Sequence, residues 1–276
     1  MGLTRKKHRG GDPDKCIFIE LGYNNSGLGN QLFVYAAGVV AKMKTGNKLC
    51  MVWSDENPHS STDYRPMLLQ GESAEKTDSR IKSATSLHEN LDMFNSWSDK
   101  NIPSNSDNYL MEGSLYHTYK PIIKAIPIIR ADFKMVFAKM FPGFSISPES
   151  AFVHVRRGDY TKVYSNKLPS LKYYKAGIEL LRKAGVEYVY LISNDLEWCK
   201  EHFKGLHLTL FGGDELQTLY LMSMCKAGAV ISPSTYGAWG AILGPDENKK
   251  STIVYPKNWL GRKNNPHKWP SRWTAI

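Results

Sequence analysis

Ala151-Phe152-Val153-His154-Val155-Arg156-Arg157-Gly158-Asp159-Tyr160 joins an apolar run to two adjacent arginines. Its first five residues are rich in aromatic and β-branched side chains and read as a buried strand. The strand runs into two guanidiniums, a turn glycine and a carboxylate. In open α/β sheets ligands bind beyond the carboxyl ends of strands. Arginine suits pyrophosphate, because its planar fork makes paired, charge-assisted hydrogen bonds. A plainer reading stands beside this one, in which Arg156-Arg157 is a solvated loop and His154 a satisfied core histidine.

Downstream, the sequence repeats a strand–helix rhythm. A helix is expected from near Pro169, then a strand over 187–193 ending in Asn194-Asp195 and a short helix over 196–203. A strand over 207–210 follows. Asp214 to Lys226 reads as a buried helix, with Asp214 and Gln217 spaced as a capping box. Gly228 to Ile231 is the next strand. It leads through Ser232-Pro233-Ser234-Thr235 into a helix ending near Ala241, and 251–255 is the last strand. Trp259, Trp269 and Trp273 are too many tryptophans for a free tail, so the C-terminus is expected to fold back.

Upstream, Cys16 to Leu21 reads as a strand and Gly22 to Gln31 as a Gly/Asn/Ser-rich loop. A helix from about Asn30 to Lys44 carries Leu32, Phe33, Ala36, Val39, Val40 and Met43 on one broad face. A strand over 48–53 completes a βαβ unit. Residues 54–107 form a polar, weakly periodic insert, read as irregular structure with short helices. A strand is expected over 109–112, then a helical stretch over 119–141 interrupted by Pro121 and Pro127. The fold class expected is α/β with two Rossmann-like domains facing a cleft. The boundaries are 1–15 for a disordered basic tail, 16–147 for the N-terminal domain and 148–276 for the C-terminal one.

The chain has 276 residues, a formal charge of +10, and 42% hydrophobic and 22% charged residues. These values describe a globular protein with an anionic partner. The positive charge is scattered rather than striped, so nucleic acid is not expected. No apolar run reaches the ~20 residues that span a bilayer, and no secretory signal is seen. The expectation is a soluble, cytoplasmic protein. The four cysteines, Cys16, Cys50, Cys199 and Cys225, form no Cys-x-x-Cys pair and read as buried reduced thiols.

Several blocks resemble family 11 glycosyltransferases, the α-1,2-fucosyltransferases. Gly27-Leu28-Gly29-Asn30-Gln31-Leu32-Phe33 with Tyr35-Ala36 is similar to the family's N-terminal signature. His154-Val155-Arg156-Arg157-Gly158-Asp159 resembles its His-x-Arg-Arg-x-Asp motif. Ile192 to Cys199, Leu221 to Cys225, Ser234 to Ala241 and Pro256 to Trp259 resemble later blocks, in the family's order. Thr218 stands where the family often has aspartate, and Pro233 where many members have asparagine.

The resemblance implies a GT-B fold and a GDP-fucose donor bound mainly by the C-terminal half. It also implies inversion at the sugar without a metal, and no other cofactor is expected; in a two-domain cleft the N-terminal side then supplies the site for a glycan acceptor. Departing GDP develops charge on its β-phosphate. Many transferases meet it with a metal held by Asp-x-Asp, but the only such motif here is Asp12-Pro13-Asp14 in the expected tail. Arg156 and Arg157 offer preorganised positive donors instead; the resemblance implies that one of the two, Arg156 before Arg157, meets the β-phosphate. On a regular strand the two point to opposite faces.

Ser234 and Thr235 can donate to phosphate at a helix start, or simply cap it. Asn194 and Asp195 fit guanine or ribose, or a strand-to-helix turn. Gly27, Gly29, Asn30 and Gln31 suit close backbone approach and amide contacts to the donor, or a tight turn. His154 belongs to the same donor set. Asp159 is a candidate base, or a carboxylate that orients the arginines, and Glu20 and Glu112 are weaker base candidates. Two other readings remain: another nucleotide-sugar transferase on the same scaffold, and an inactive glycan- or nucleic-acid-binding protein.

Overall fold

The computed structural model describes residues 12, 14–22, 26–53, 62–87, 100, 102–103, 107–111, 116–262 and 267–276. The chain divides into two compact units, residues 1–27 with 31–129, and residues 28–30 with 130–276. The division falls inside a helix at 129/130 rather than at the expected 147/148. Residues 1–11 and 13 of the expected tail lie outside the described residues.

In the first unit, β1 (Cys16–Leu21), β2 (Lys48–Trp53), β3 (Glu72–Ala74), β4 (Thr85–Ser86) and β5 (Tyr109–Met111) form one sheet. Its order is β3-β2-β1-β5-β4, and every pairing is parallel. Helix α1 (Leu28–Thr45) connects β1 to β2 and ends at Gly46, whose N–H donates to the Lys42 carbonyl at 2.8 Å. Leu32, Phe33, Ala36, Val39 and Val40 are buried as the periodicity predicts, but Met43 is exposed. Short α2 (Ser79–Lys82) and α3 (Tyr119–Ile122) complete this unit's helices among the described residues. The described parts of the 54–107 stretch supply both edge strands, β3 and β4. Those strands are only three and two residues long, too short to show a period-2 pattern.

Parallel register also corrects the cysteine reading. Phe18 pairs with Cys50 and Cys16 with Lys48. Alternate residues share a sheet face, so Cys16, Phe18, Cys50 and Val52 converge in one small core. The Cys16 and Cys50 Cα atoms lie 5.8 Å apart and their sulfurs form a disulfide, within the usual span for such a bond. Cys199 and Cys225 are buried free thiols, as expected.

In the second unit, α4 (Ile126–Met140, within this unit from Arg130) precedes β6 (Ala151–Val155), α5 (Tyr160–Val163), α6 (Leu171–Lys183) and β7 (Val189–Ser193). Then come α7 (Leu196–His202), β8 (Thr209–Leu210), α8 (Glu215–Met224), β9 (Gly228–Ile231), α9 (Thr235–Leu243), β10 (Thr252–Tyr255) and β11 (Thr274–Ala275). The sheet order is β11-β10-β9-β6-β7-β8, again all parallel. Tyr174, Ile178 and Leu181 of α6 bury against Val153, Val155, Val230 and Val254 of the sheet. The capping box of α8 forms, with Gln217 N–H on Asp214 Oδ1 at 2.8 Å and Asp214 N–H on Gln217 Oε1 at 3.0 Å. Trp259, Trp269 and Trp273 are all buried. The Trp273 indole N–H donates to Asp246 at 2.8 Å, and β11 extends the sheet, so the C-terminus folds back as expected. No helix among the described residues is long and apolar enough to cross a membrane.

Within this sheet the chain runs outward from β6 in one direction through β7 and β8. It then returns to the other side through β9 and β10. The reversal lies between β6 and β9. In open parallel sheets the crevice beyond the carboxyl ends at such a reversal is the usual ligand position.

Candidate active site

The residues that follow β6 and β9 lie side by side at that reversal. His154 pairs with Ile231 across the two strands, and Ser232 N–H donates to the His154 carbonyl at 3.0 Å. This register brings Arg156-Arg157-Gly158-Asp159 next to Ser232-Pro233-Ser234-Thr235.

The two arginines separate as strand alternation predicts. Arg156 donates to Asp159 Oδ1 at 2.7 Å, with side chains 31% and 51% exposed. Its guanidinium lies 4.9 Å from the centre of the Tyr160 ring. Arg157 turns the other way: its Nε donates to Asp195 Oδ2 at 3.2 Å, and its guanidinium stacks 3.8 Å over Trp198. Asp195 also accepts Trp198 N–H at 3.2 Å as the N-cap of α7. Asn194 Oδ1 accepts the Arg157 backbone N–H at 2.8 Å. The turn needs glycine at 158, where φ is +52° and a Cβ would sit 2.4 Å from Asn194 Nδ2. Asn194, Asp195 and Arg157 therefore brace the turn on one side, while Arg156 and Asp159 lie on the other.

Ser234 is the N-cap residue of α9 but makes no side-chain capping bond. Thr235 Oγ1 donates instead to Asn30 Oδ1 at 2.7 Å. Gly29, in the same unit, is held against α9, for a Cβ there would lie 2.3 Å from Tyr236 N and 2.5 Å from Thr235 C. The close backbone approach expected of this glycine is made to protein. Gly27 has no described heavy atom within 4 Å of a Cβ position. In the first unit Gln31 Nε2 donates to the Ser26 carbonyl at 2.8 Å, and its buried Oε1 has no hydrogen-bond partner among the described residues. Glu20 is half-buried in β1. Glu112 lies outside the described residues.

His154 is buried, and its Nδ1 lies 2.8 Å from Ser232 Oγ. Burial, and secondarily the Arg156 charge, hold its pKa down from 6.5 to about 3. The folded imidazole is thus neutral where the unfolded one would take a proton. Between pH 6.5 and 3 the unfolded chain binds more protons, so stability falls as pH is lowered through that window. From pH 7 to pH 5 this one group is expected to remove about 2 kcal/mol. His154→Asn should lose that dependence. Urea unfolding of both proteins at the two pH values checks it: a wild-type-minus-variant difference that stays constant rules out a buried neutral histidine.

The sequence does not single out Ser232 or Trp198 as site residues. For Trp198, the Asp195-x-x-Trp198 cap spacing was the one local signal. For Ser232 the signal was a small hydroxyl residue ending an apolar strand directly before Pro233.

A family model described as Glycosyl transferase family 11 matches residues 97–273, more than half of the chain. The O-antigen biosynthesis glycosyltransferase WbnK of Escherichia coli is 30% identical over 135 residues, covering 45% of this chain and 43% of that protein. An α-1,2-colitosyltransferase of the same organism is 29% identical over 140 residues, covering 46% and 47%. The match thus spans less than half the length of these curated relatives. Among solved structures, fucosyltransferase NodZ from Bradyrhizobium is similar over 85% of this chain and 94% of that one, at 15% identity and a TM-score of 0.48.

Proposed function

Since the chain belongs to glycosyl transferase family 11, we propose that it transfers L-fucose from GDP-fucose to a hydroxyl of a glycan, the 2-hydroxyl of a galactose. In this reading the acceptor oxygen attacks C1 of the fucose from the face opposite the leaving group. The C1–O bond to the β-phosphate breaks, its electron pair leaves on GDP, and the configuration inverts. The acceptor proton goes to a base, for which Asp159 is the candidate on the strand-end turn.

The observation that carries the reading is the placement of Arg156 at the sheet reversal between β6 and β9. Arg157 is committed to Asp195 and Trp198. Arg156 rests on a half-exposed carboxylate, and a diphosphate carrying more negative charge competes well for that guanidinium. Preorganised donors aimed at developing charge are a large source of rate enhancement. They let leaving-group stabilisation proceed without a divalent ion. Ser234 and the first-turn amides of α9 suit a second phosphate oxygen. The second unit is the donor side and the first the acceptor side.

The relatives' names include a colitosyltransferase, which makes the donor sugar the main variable. The test is a transfer screen with GDP-fucose, GDP-colitose, GDP-mannose and UDP sugars over β-galactoside acceptors, each with and without excess EDTA. Transfer from GDP-fucose that persists in EDTA is expected. Transfer only from another donor would replace the fucosyl assignment, and a rate that collapses on chelation and returns with Mn²⁺ would end the metal-free one.

A further inference from the structure

We propose that Ser232 is the positioning residue that sets Arg156 for the reaction, acting through the backbone of the β6 end. The proposal rests on the reading of Arg156 as the pyrophosphate ligand. Ser232 is fully buried. Its Oγ accepts the Arg156 backbone N–H at 3.2 Å and lies 2.8 Å from His154 Nδ1.

A serine hydroxyl has one proton and two lone pairs. The Arg156 N–H takes one lone pair. The neutral imidazole takes the proton or the other lone pair, according to its tautomer. The hydroxyl, just past the end of β9, thus joins His154 of β6 to the turn through which Arg156 leaves the sheet. The hub therefore locks the point at which the chain departs from regular strand. Arg156 must depart there for its side chain to lie with Asp159 while that of Arg157 turns to Asp195. Gly237 keeps the ring in place from the α9 side, since a Cβ there would fall 2.4 Å from His154 Nδ1.

Removing the hydroxyl leaves the buried His154 Nδ1 and the part-buried Arg156 N–H to re-pair and frees the backbone of Arg156 to shift. Misplacement of a reacting group by about 1 Å can lower a rate by about 10²-fold. The experiment is a double-mutant cycle of Ser232→Ala and Arg156→Ala, read by single-turnover transfer from labelled GDP-fucose with melting temperatures alongside. Ser232→Ala is expected to lower kcat about 10–100-fold in the wild-type background, with KM for GDP-fucose moving less than about 3-fold. In the Arg156→Ala background its effect should nearly vanish, because a residue that acts through another adds nothing once the other is gone.

Equal factors in both backgrounds overturn the proposal. So does a lowered melting temperature with kcat retained, which marks a purely structural hydroxyl. If Ser232→Ala does not fold, Ser232→Cys is carried through the same cycle. If the wild type transfers no fucose, the functional reading fails instead. The cycle is then run with the sugar nucleotide that the donor screen identifies, where loss of the Ser232→Ala effect in the Arg156→Ala background supports the proposal and equal factors overturn it.

Discussion

Arg156→Ala is expected to lower the transfer rate by about 10²–10³-fold with little loss of stability. The physical reason is the asymmetry of the two arginines. Among the described residues Arg156 makes one ion pair, to a carboxylate that is itself half in solvent, and an exposed pair of this kind contributes at most about 1 kcal/mol to folding. Its guanidinium is placed to meet charge that develops only as the leaving group departs, so its loss falls on the rate. Arg156→Lys should recover little, because a compact ammonium cannot reproduce the planar fork. Arg157→Ala is expected to behave oppositely. It removes the contacts to Asp195 and the Trp198 ring, which lowers stability by about 1 kcal/mol and the rate by less than Arg156→Ala does. Steady-state kinetics and thermal melts of the three variants check this. A folded Arg156→Ala enzyme turning over near the wild-type rate would reject the mechanism.

Gly29→Ala should be among the most damaging single methyl additions in the chain, and Gly27→Ala, two residues away, close to neutral. At Gly29 the added carbon would lie 2.3 and 2.5 Å from backbone atoms of Tyr236 and Thr235. Backbone at a helix start cannot rotate away as a side-chain tip can. Relief requires moving the first turn of α1 from that of α9, which would break the Asn30–Thr235 hydrogen bond. Overpacking of this kind costs about 3 kcal/mol at its upper end, and transfer should fall with it because α9 begins beside the Arg156 turn. Gly27 sits at φ −65° with no described heavy atom near a Cβ. Alanine there restricts the unfolded chain and costs the folded one little. Chemical denaturation of the two variants in parallel is the check: equal midpoints would mean that Gly29 is not held against α9.

Sequence alone determined the local elements and the family. The βα rhythm, the strand over 151–155, the strand over 228–231, the Asp214–Gln217 capping box and the burial of the C-terminal tryptophans all follow from signals within a few residues or one helical turn. Periodicity, capping and turn chemistry are short-range physics, and the chain writes them in consecutive residues. The Arg-Arg group was legible for the same reason, since a strand running into adjacent charges is visible without knowing its neighbours.

Tertiary structure alone decided how those elements are used. Which arginine is braced depends on Asp195 and Trp198, which β7 and α7 bring alongside β6. Ser232 reaches His154 across 78 positions and Thr235 reaches Asn30 across 205, separations at which no local pattern survives. Cys16 and Cys50 read as separate thiols until the parallel register of β1 and β2 put them on one face. The strands within 54–107 were hidden because two or three residues take extended form when a sheet edge offers hydrogen bonds, whatever their own propensity. Contacts between elements are set by register and crossover, and these are settled only when the whole sheet assembles.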